Sequence, residues 1–404
     1  MMTEKALLKL ANGSDVRGIA VDGVADEPVN LTAEAANRIA SGFVEFLAQR
    51  TGLSKRDLRI AVGHDTRISA GVLKKAVFEA LTAAGCVTVD CGLASTPAMF
   101  MSTVFKATQM DGAIMITASH LPFNRNGLKF FTTEGGVEPA EIHEILESAC
   151  HHPEVQGNLA KVQKYDLMDR YCHFLRKKIR QALGEEEAPL KGMHIVVDAG
   201  NGMAGHTAPA VLAPLNIDLI GLFTELDGSF PNHPPNPLEP QNLLDAQAAV
   251  RTHRADVGLV FDGDADRCFI VDERGEVVDP SVITAMIAVA ELDKHPGSWI
   301  VTNTITSRCV AEAVEARGGR IAVSRVGHTA VKAMMAELGA VFGEVNGWER
   351  PNWFAAPGED ATDRPSFEGK PNWFAAVARE TDAIRNRVAL IDQSSFAKFE
   401  ITGF

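Results

Sequence analysis

Short apolar runs alternate along most of the chain with segments whose apolar residues recur every three or four positions. That alternation predicts strands and helices in succession, the sequence form of a parallel or mixed sheet covered by helices, so the expected fold class is α/β. A strand is expected over 58–62, leading into Gly63-His64-Asp65-Thr66-Arg67. Leu73, Val77, Ala80, Leu81 and Ala84 then keep helical spacing, and Gly85 stands where a left-handed cap is favoured. Residues 86–90 read as the next strand, 97–107 as a helix and 112–117 as a strand, which makes a first domain of βαβ units.

The stretch 162–183 reads as a charged helix, and a new strand over 193–197 runs into Asp198-Ala199-Gly200-Asn201-Gly202. A boundary is therefore expected near residue 160, giving domains over 1–160 and 161–278. Five prolines within 231–240 rule out regular helix or central strand there. That segment is either a surface crossing beside a site or a rigid linker. A third unit opens near Pro280, with a helix over 282–292, a strand over 299–302, a helix from Ser307 and a strand over 320–324, and continues to Gly347. After it, Pro351-Asn352-Trp353-Phe354-Ala355-Ala356 recurs as Pro371-Asn372-Trp373-Phe374-Ala375-Ala376. Two copies do not make a solenoid. Residues 348–404 read as an irregular tail with one short helix over 377–388.

With 404 residues the chain is too long for one small core. Its formal charge of −13 argues against nucleic-acid and anionic-membrane partners, which need a positive surface field. The longest apolar runs are too short to span a bilayer, and the N-terminus has neither a basic leader nor a long apolar stretch, so a cytoplasmic protein is expected. Six scattered cysteines without a Cys-x-x-Cys pair read as buried reduced thiols.

The strongest chemical signal is Phe261-Asp262-Gly263-Asp264-Ala265-Asp266-Arg267, placed between an apolar strand over 257–260 and a hairpin. Carboxylates at alternate positions of a turn can converge on one hard cation, magnesium or calcium, and leave a position open for a phosphate oxygen. An EF-hand reading fails at Arg267, where glycine is needed, and at the flanks, which are strands. A solvated acidic turn is the bland alternative, but an adjoining buried strand makes unneutralised carboxylates costly. The second signal is Thr117-Ala118-Ser119-His120 at a strand end, followed by Asn126-Gly127-Leu128-Lys129. Ser119 is placed to present its hydroxyl at the carboxyl edge of a sheet, although a serine there also serves as a cap or turn. No Gly-x-Ser-x-Gly elbow surrounds it, which argues against acyl transfer.

In this order and spacing, the serine loop, Asn126–Lys129 and the triple-aspartate loop resemble the α-D-phosphohexomutase superfamily, nearest to phosphoglucomutase/phosphomannomutase. Asn12-Gly13-Ser14-Asp15-Val16-Arg17-Gly18, Gly63-His64-Asp65-Thr66-Arg67, Asp198-Ala199-Gly200-Asn201-Gly202 and Gly327-His328 add to it, so the likeness runs from about residue 7 to 347. The resemblance implies transfer of phosphate between O1 and O6 of glucose or mannose through a phosphoserine and a bisphosphorylated sugar. By residue match Ser119 is the phosphoryl carrier, and Asp262, Asp264 and Asp266 hold Mg²⁺ together with the seryl phosphate. Lys129 is the general acid/base, Arg17 a charge stabiliser and His120 an aid to proton handling. Arg267, His328, Glu344 and Asn346 are the substrate-binding residues, the last two within Gly343-Glu344-Val345-Asn346-Gly347, where the family has a serine in place of Asn346. The implied activator is a hexose 1,6-bisphosphate, the implied partner a small phosphosugar, and the implied state a monomer or weak dimer. Beyond Gly347 the family pattern would complete a third domain and add a fourth with an Arg-x-Ser-Gly-Thr phosphate loop, and neither is visible. A phosphoglucosamine mutase and a truncated, catalytically impaired phosphosugar-binding derivative are therefore the alternatives.

Overall fold

The expected alternation of strands and helices is present in the computed structural model, which describes residues 3–184, 189–325, 331, 334–335, 337–338, 340–345 and 348–354, the last two stretches by their backbone. Two units divide the chain, one running through Val277 and the other beginning at Val278.

The first unit contains two sheets. One has eight strands: β1 (Ala11–Asn12), β2 (Asp15–Ile19), β3 (Arg59–His64), β4 (Val87–Leu93), β5 (Gly112–Ile116), β6 (Arg125–Thr132), β7 (Gly135–Gly136) and β8 (Gln163–Lys164). Their order is β1-β2-β6-β5-β3-β4-β8, with β7 beside β6. β4, β3 and β5 are parallel, whereas β6 is antiparallel to both β5 and β2. The inner strands are buried on both faces, which is why 58–62 and 112–117 read as unbroken apolar runs.

The helices of this half are α1 (Glu4–Leu8), α2 (Ala33–Thr51), α3 (Ala70–Ala84), α4 (Thr96–Val104), α5 (Pro139–Cys150) and α6 (Leu167–Ala182). Phe43 of α2, Leu81 of α3 and Ile145 of α5 share one core with Ile60, Ile114 and Phe130 of the sheet. Phe131, one residue on, points to the other face and meets Phe100 of α4 with ring centroids 5.7 Å apart, as strand alternation requires. Gly85 ends α3 at φ 89°, the left-handed cap read from the sequence.

The second sheet has the order β10-β9-β11-β12-β13, from β9 (His194–Asp198), β10 (Asp218–Leu222), β11 (Val257–Phe261), β12 (Cys268–Val271) and β13 (Val277–Val278). β10, β9 and β11 are parallel, and β12 turns back antiparallel on β11, so residues 262–267 are a hairpin loop. Helices α7 (Ala204–Leu212) and α8 (Leu244–His253) accompany it, and Val250 of α8 packs with Val196, Val260 and Val271.

The second unit has α9 (Pro280–Lys294) and α10 (Arg308–Ala316) packed through Ala288, Leu292, Val310 and Val314, with parallel strands β14 (Trp299–Asn303) and β15 (Arg320–Ser324). It also has an antiparallel pair, β16 (Ala340–Val345) and β17 (Trp348–Phe354). The first residues of the expected irregular tail are therefore not irregular, because Trp348–Phe354 form a strand. Val345 stands opposite Trp348, and the two residues between them are Asn346-Gly347. Asn-Gly is a strong hairpin signal, which the sequence reading passed over. The second copy of the tail repeat and the helix expected over 377–388 lie outside the described residues. Among the described residues no helix is long and apolar enough to cross a membrane.

Candidate active site

Ser119 lies on the loop between β5 and β6, at the carboxyl end of β5. It is 2% exposed and has φ 52°, a left-handed backbone that costs a non-glycine residue on the order of 1 kcal/mol or more. The surroundings hold it there. Thr117 Oγ1 accepts from the Ser119 amide at 2.8 Å and donates to Asp65 Oδ2 at 2.7 Å. Arg67 fills the inside of the loop: Nη2 donates to the carbonyls of Ser119 (2.7 Å) and Leu121 (2.6 Å), and Nη1 to those of Pro122 (2.6 Å) and Arg125 (2.9 Å). Its Nε lies 3.3 Å from Asp65 Oδ2, and both side chains are fully buried. Burial pushes the Arg67 guanidinium down and the Asp65 carboxyl up, each opposed by the other's charge. The Asp-Thr-Arg strand exit thus acts as a scaffold for the serine loop.

The β11–β12 loop brings the carboxylates to this serine. Ser119 Oγ donates to Asp262 Oδ2 at 2.7 Å, across 143 positions of sequence. Asp262 Oδ1 accepts from the amides of Asp266 and Arg267, both at 3.1 Å. Asp264 Oδ2 accepts from Thr96 Oγ1 at 2.5 Å and lies 3.3 Å from Lys129 Nζ, and Asp266 Oδ2 lies 2.9 Å from the same ammonium. Thr96 also donates its amide to the Asp264 carbonyl at 3.1 Å, so the first turn of α4 grips this loop by backbone and side chain. One ligand oxygen from each of the three aspartates lies within 4.8 Å of the others. Oδ1 of Asp264 and Oδ1 of Asp266 are buried without a hydrogen-bond partner. Such atoms are costly unless something meets them, and hard oxygen donors in this arrangement fit a cation such as Mg²⁺.

The charges around the loop are unequal. Burial, with Asp264 and Asp266 beside it, raises the Asp262 carboxyl well above its ordinary value. Burial alone would raise Asp264 too, but Lys129 and the Thr96 hydroxyl hold it below the carboxylate range. Lys129 is raised by the same two carboxylates against its own burial. Arg267 Nη1 donates to His120 Nδ1 at 2.9 Å, so that nitrogen is an acceptor and the ring is neutral. Burial and the Arg267 and Arg17 charges lower the His120 pKa accordingly. Arg17, on β2, donates through Nη2 to Asp15 at 2.7 Å and through Nη1 to the Thr117 carbonyl, which ties it to the strand end before Ser119.

Family models for phosphoglucomutase/phosphomannomutase alpha/beta/alpha domains I, II and III match residues 9–155, 169–275 and 279–347. A phosphomannomutase/phosphoglucomutase of Pseudomonas aeruginosa is 31% identical over 345 residues, covering 84% of this chain and 69% of that protein. The chain belongs to this family, the α-D-phosphohexomutases. Another relative is described as a probable phosphoglucosamine mutase of Methanopyrus kandleri, 32% identical over 334 residues, covering 81% of this chain and 70% of the relative. A crystal structure of a phosphoglucomutase/phosphomannomutase family protein from Burkholderia thailandensis superposes with TM-score 0.71 at 27% identity, covering 95% of this chain and 78% of that one. A model of the GCVT N-terminal domain matches residues 331–404 and overlaps the domain III match over 331–347. The repeat-bearing tail therefore has a likeness of its own, outside the phosphohexomutase family.

Of the residues expected in a phosphohexomutase site, Ser119, His120, Arg17, Lys129, Asp262, Asp264, Asp266 and Arg267 converge around the two loops. Glu344 lies on β16 of the other unit, opposite Glu349. His328 and Asn346 lie outside the described residues. Sequence reasoning missed Thr96 altogether, and it quoted Asp65 and Arg67 only as part of a motif. Their signal was the Asp-x-Arg spacing at a strand end, whereas Thr96 is an ordinary helix-start residue whose partner is 168 positions away.

Proposed function

We propose that this chain is a Mg²⁺-dependent phosphohexomutase that interconverts hexose 1-phosphate and hexose 6-phosphate, with glucose and mannose phosphates as substrates. The observation that carries the reading is the 2.7 Å contact of Ser119 Oγ with Asp262, inside a loop whose other two aspartates keep unpartnered buried oxygens. Asp262, Asp264 and Asp266 would hold the cation with the phosphorylated Ser119. A bound cation supplies neutralisation of charge on the transferring phosphoryl group, the main demand of a loose transition state.

In the first transfer the Oγ–P bond of phospho-Ser119 breaks as an O–P bond forms to the free sugar hydroxyl, and the proton that hydroxyl loses is balanced by the one the released Ser119 Oγ takes up. After the bisphosphorylated sugar turns over, the second transfer returns its other phosphoryl group to Ser119 Oγ. A hexose 1,6-bisphosphate charges the serine for the first turnover and so acts as activator. Lys129, an ammonium here, is able to donate a proton without further change. To act as base it has to lose a proton that the two carboxylates hold on it. Arg267 bridges His120 and the aspartate loop and offers a part-exposed cation to the substrate phosphate.

A second reading, a derivative that accepts phosphate on Ser119 without completing the isomerisation, is favoured by one observation: the match to the family's domain III stops at residue 347, and the residues after it match an unrelated model. Intact-mass measurement after incubation with glucose 1,6-bisphosphate tests the serine, and coupled assays with glucose 1-phosphate and mannose 1-phosphate test the mutase. A phosphoryl gain that is lost in Ser119→Ala, together with turnover, is the expected result. A gain without turnover selects the second reading. The absence of any gain in the unaltered chain overturns both.

A further inference from the structure

The start of the proline-rich segment and the turn just before it have no part in the chemistry above, yet they touch both halves of the site. Gly228 lies so close to Thr66 that an added Cβ would come within 2.2 Å of the Thr66 carbonyl oxygen. The Phe230 ring stands 5.2 Å from the guanidinium of Arg67, the side chain that gathers the serine-loop carbonyls. Asn232 Nδ2 donates to Asn201 Oδ1 at 2.8 Å. Pro235 stands over Gly263 of the aspartate loop and over Gly200, where an added Cβ would meet it at 3.4 and 3.5 Å respectively. Between these contacts His233 is bonded at both ring nitrogens, Nδ1 to the Pro234 carbonyl at 2.8 Å and Nε2 to the Asp198 carboxylate at 3.2 and 3.3 Å. Both partners are acceptors, an arrangement that an imidazolium, donating from both nitrogens, satisfies in full. Phe223 closes its side edge-on at 5.3 Å. Asp198 is fully buried and has His233 as its cation.

We propose that residues 228–235 are a strap that holds the serine loop and the aspartate loop in register, and that His233, charged and paired with Asp198, is the positioning residue that pins it. The link to catalysis rests on the proposed function, but the strap itself does not. His233 touches none of the three aspartates, so it acts through Pro235 and Phe230.

The pin depends on pH. Burial opposes the charge, but the bonds to Asp198 and to the Pro234 carbonyl outweigh it and raise His233 above its ordinary 6.5. The charged groups facing it are Asp198, at the end of β9, and Asp245, on α8. A group raised in the fold keeps its contribution below the unfolded value and loses it as pH climbs through the folded one. The pin is therefore present at pH 6.5 and released on the alkaline side.

Hydrogen exchange on the metal-free full-length chain tests this, read as protection factors so that the intrinsic pH dependence of exchange is removed. In His233→Ala, protection of peptides covering 117–126 and 262–267 should fall about tenfold or more, while β3 and β5 keep theirs. In the unaltered chain the same two loops should lose protection in a step as pH passes from 6.5 to 9, and the variant should show no step. Unchanged protection of both loops in the variant, within a factor of two, overturns the strap. Should the variant not fold, the pH series of the unaltered chain decides: a step supports the pin, and flat protection in both loops rejects it. Mn²⁺ binding followed by calorimetry separates the two proposals. Weaker binding by His233→Ala extends the strap to the metal loop. Failure of the unaltered chain to bind Mn²⁺ counts against the metal reading alone, and the exchange data still settle the strap.

Discussion

Gly263 lies against the backbone of the serine loop, and a single methyl group there measures how tightly the spacing of the two loops is held. A Cβ built on Gly263 would come 2.7 Å from the Ser119 carbonyl oxygen, where ordinary contact begins at 3.4 Å. The obstructing atom is backbone, and Arg67 holds it from the other side at 2.7 Å, so it cannot rotate away. Something must move by about 0.7 Å, the difference between those two distances. If the aspartate loop moves, the 2.7 Å bond from Ser119 to Asp262 opens beyond hydrogen-bonding range. Overpacking of this kind costs about 1–3 kcal/mol in stability, and a misplacement approaching 1 Å costs on the order of a hundredfold in rate. Gly263→Ala should therefore stay folded by circular dichroism and show a kcat roughly 10- to 100-fold lower with glucose 1-phosphate. A kcat within a factor of two of the unaltered chain would mean that the two loops are not in the working register described here.

The buried guanidinium under the serine loop should matter chiefly for folding. Arg67→Met leaves Asp65 charged, buried and unpaired, a change that costs about 3–5 kcal/mol. Urea unfolding followed by far-UV circular dichroism checks it, since all four tryptophans lie beyond Val277 and report on the other unit. A loss below about 1 kcal/mol would refute the assignment. The thiols give a separate test of the first core. Burial pushes Cys86 up to about 11 and Cys91 up to about 12, so at pH 8 neither should react with a disulfide reagent until the chain is unfolded.

Much of this architecture was legible because it is local. β3, β5, β15 and α9 are written in apolar periods that few other structures share, and Gly85 and Ser307 punctuate helices where expected. The strand β6 was not recognised, because Asn126, Gly127 and Lys129 read as functional residues and hid the alternation of Leu128, Phe130 and Phe131 around them. At the site, Ser119 and the aspartates stood out by residue type, spacing and order. Thr96 and the Arg67 clamp did not, because a hydrogen bond between residues far apart in the chain leaves no mark on either neighbourhood. The segment around Glu344 carries two signals at once. A motif match drew attention there, while the Asn-Gly pair beside it carried the more local message of a hairpin.

Lys129 of β6 and Thr96 of α4, which meet only the Oδ2 atoms of Asp264 and Asp266, reach the acidic turn over separations of 137 and 168 residues. A nascent chain therefore completes its first sheet long before the acids arrive, and the one local cation beside them, Arg267, faces three carboxylates when they do. The second sheet on its own would carry a cluster of like charges at the edge of an apolar core. Docking onto the first sheet relieves that repulsion at the same moment as it assembles the catalytic centre. Cutting the connection between the sheets should thus destabilise the second piece far more than the first, since only the second depends on a loan of positive charge from its neighbour.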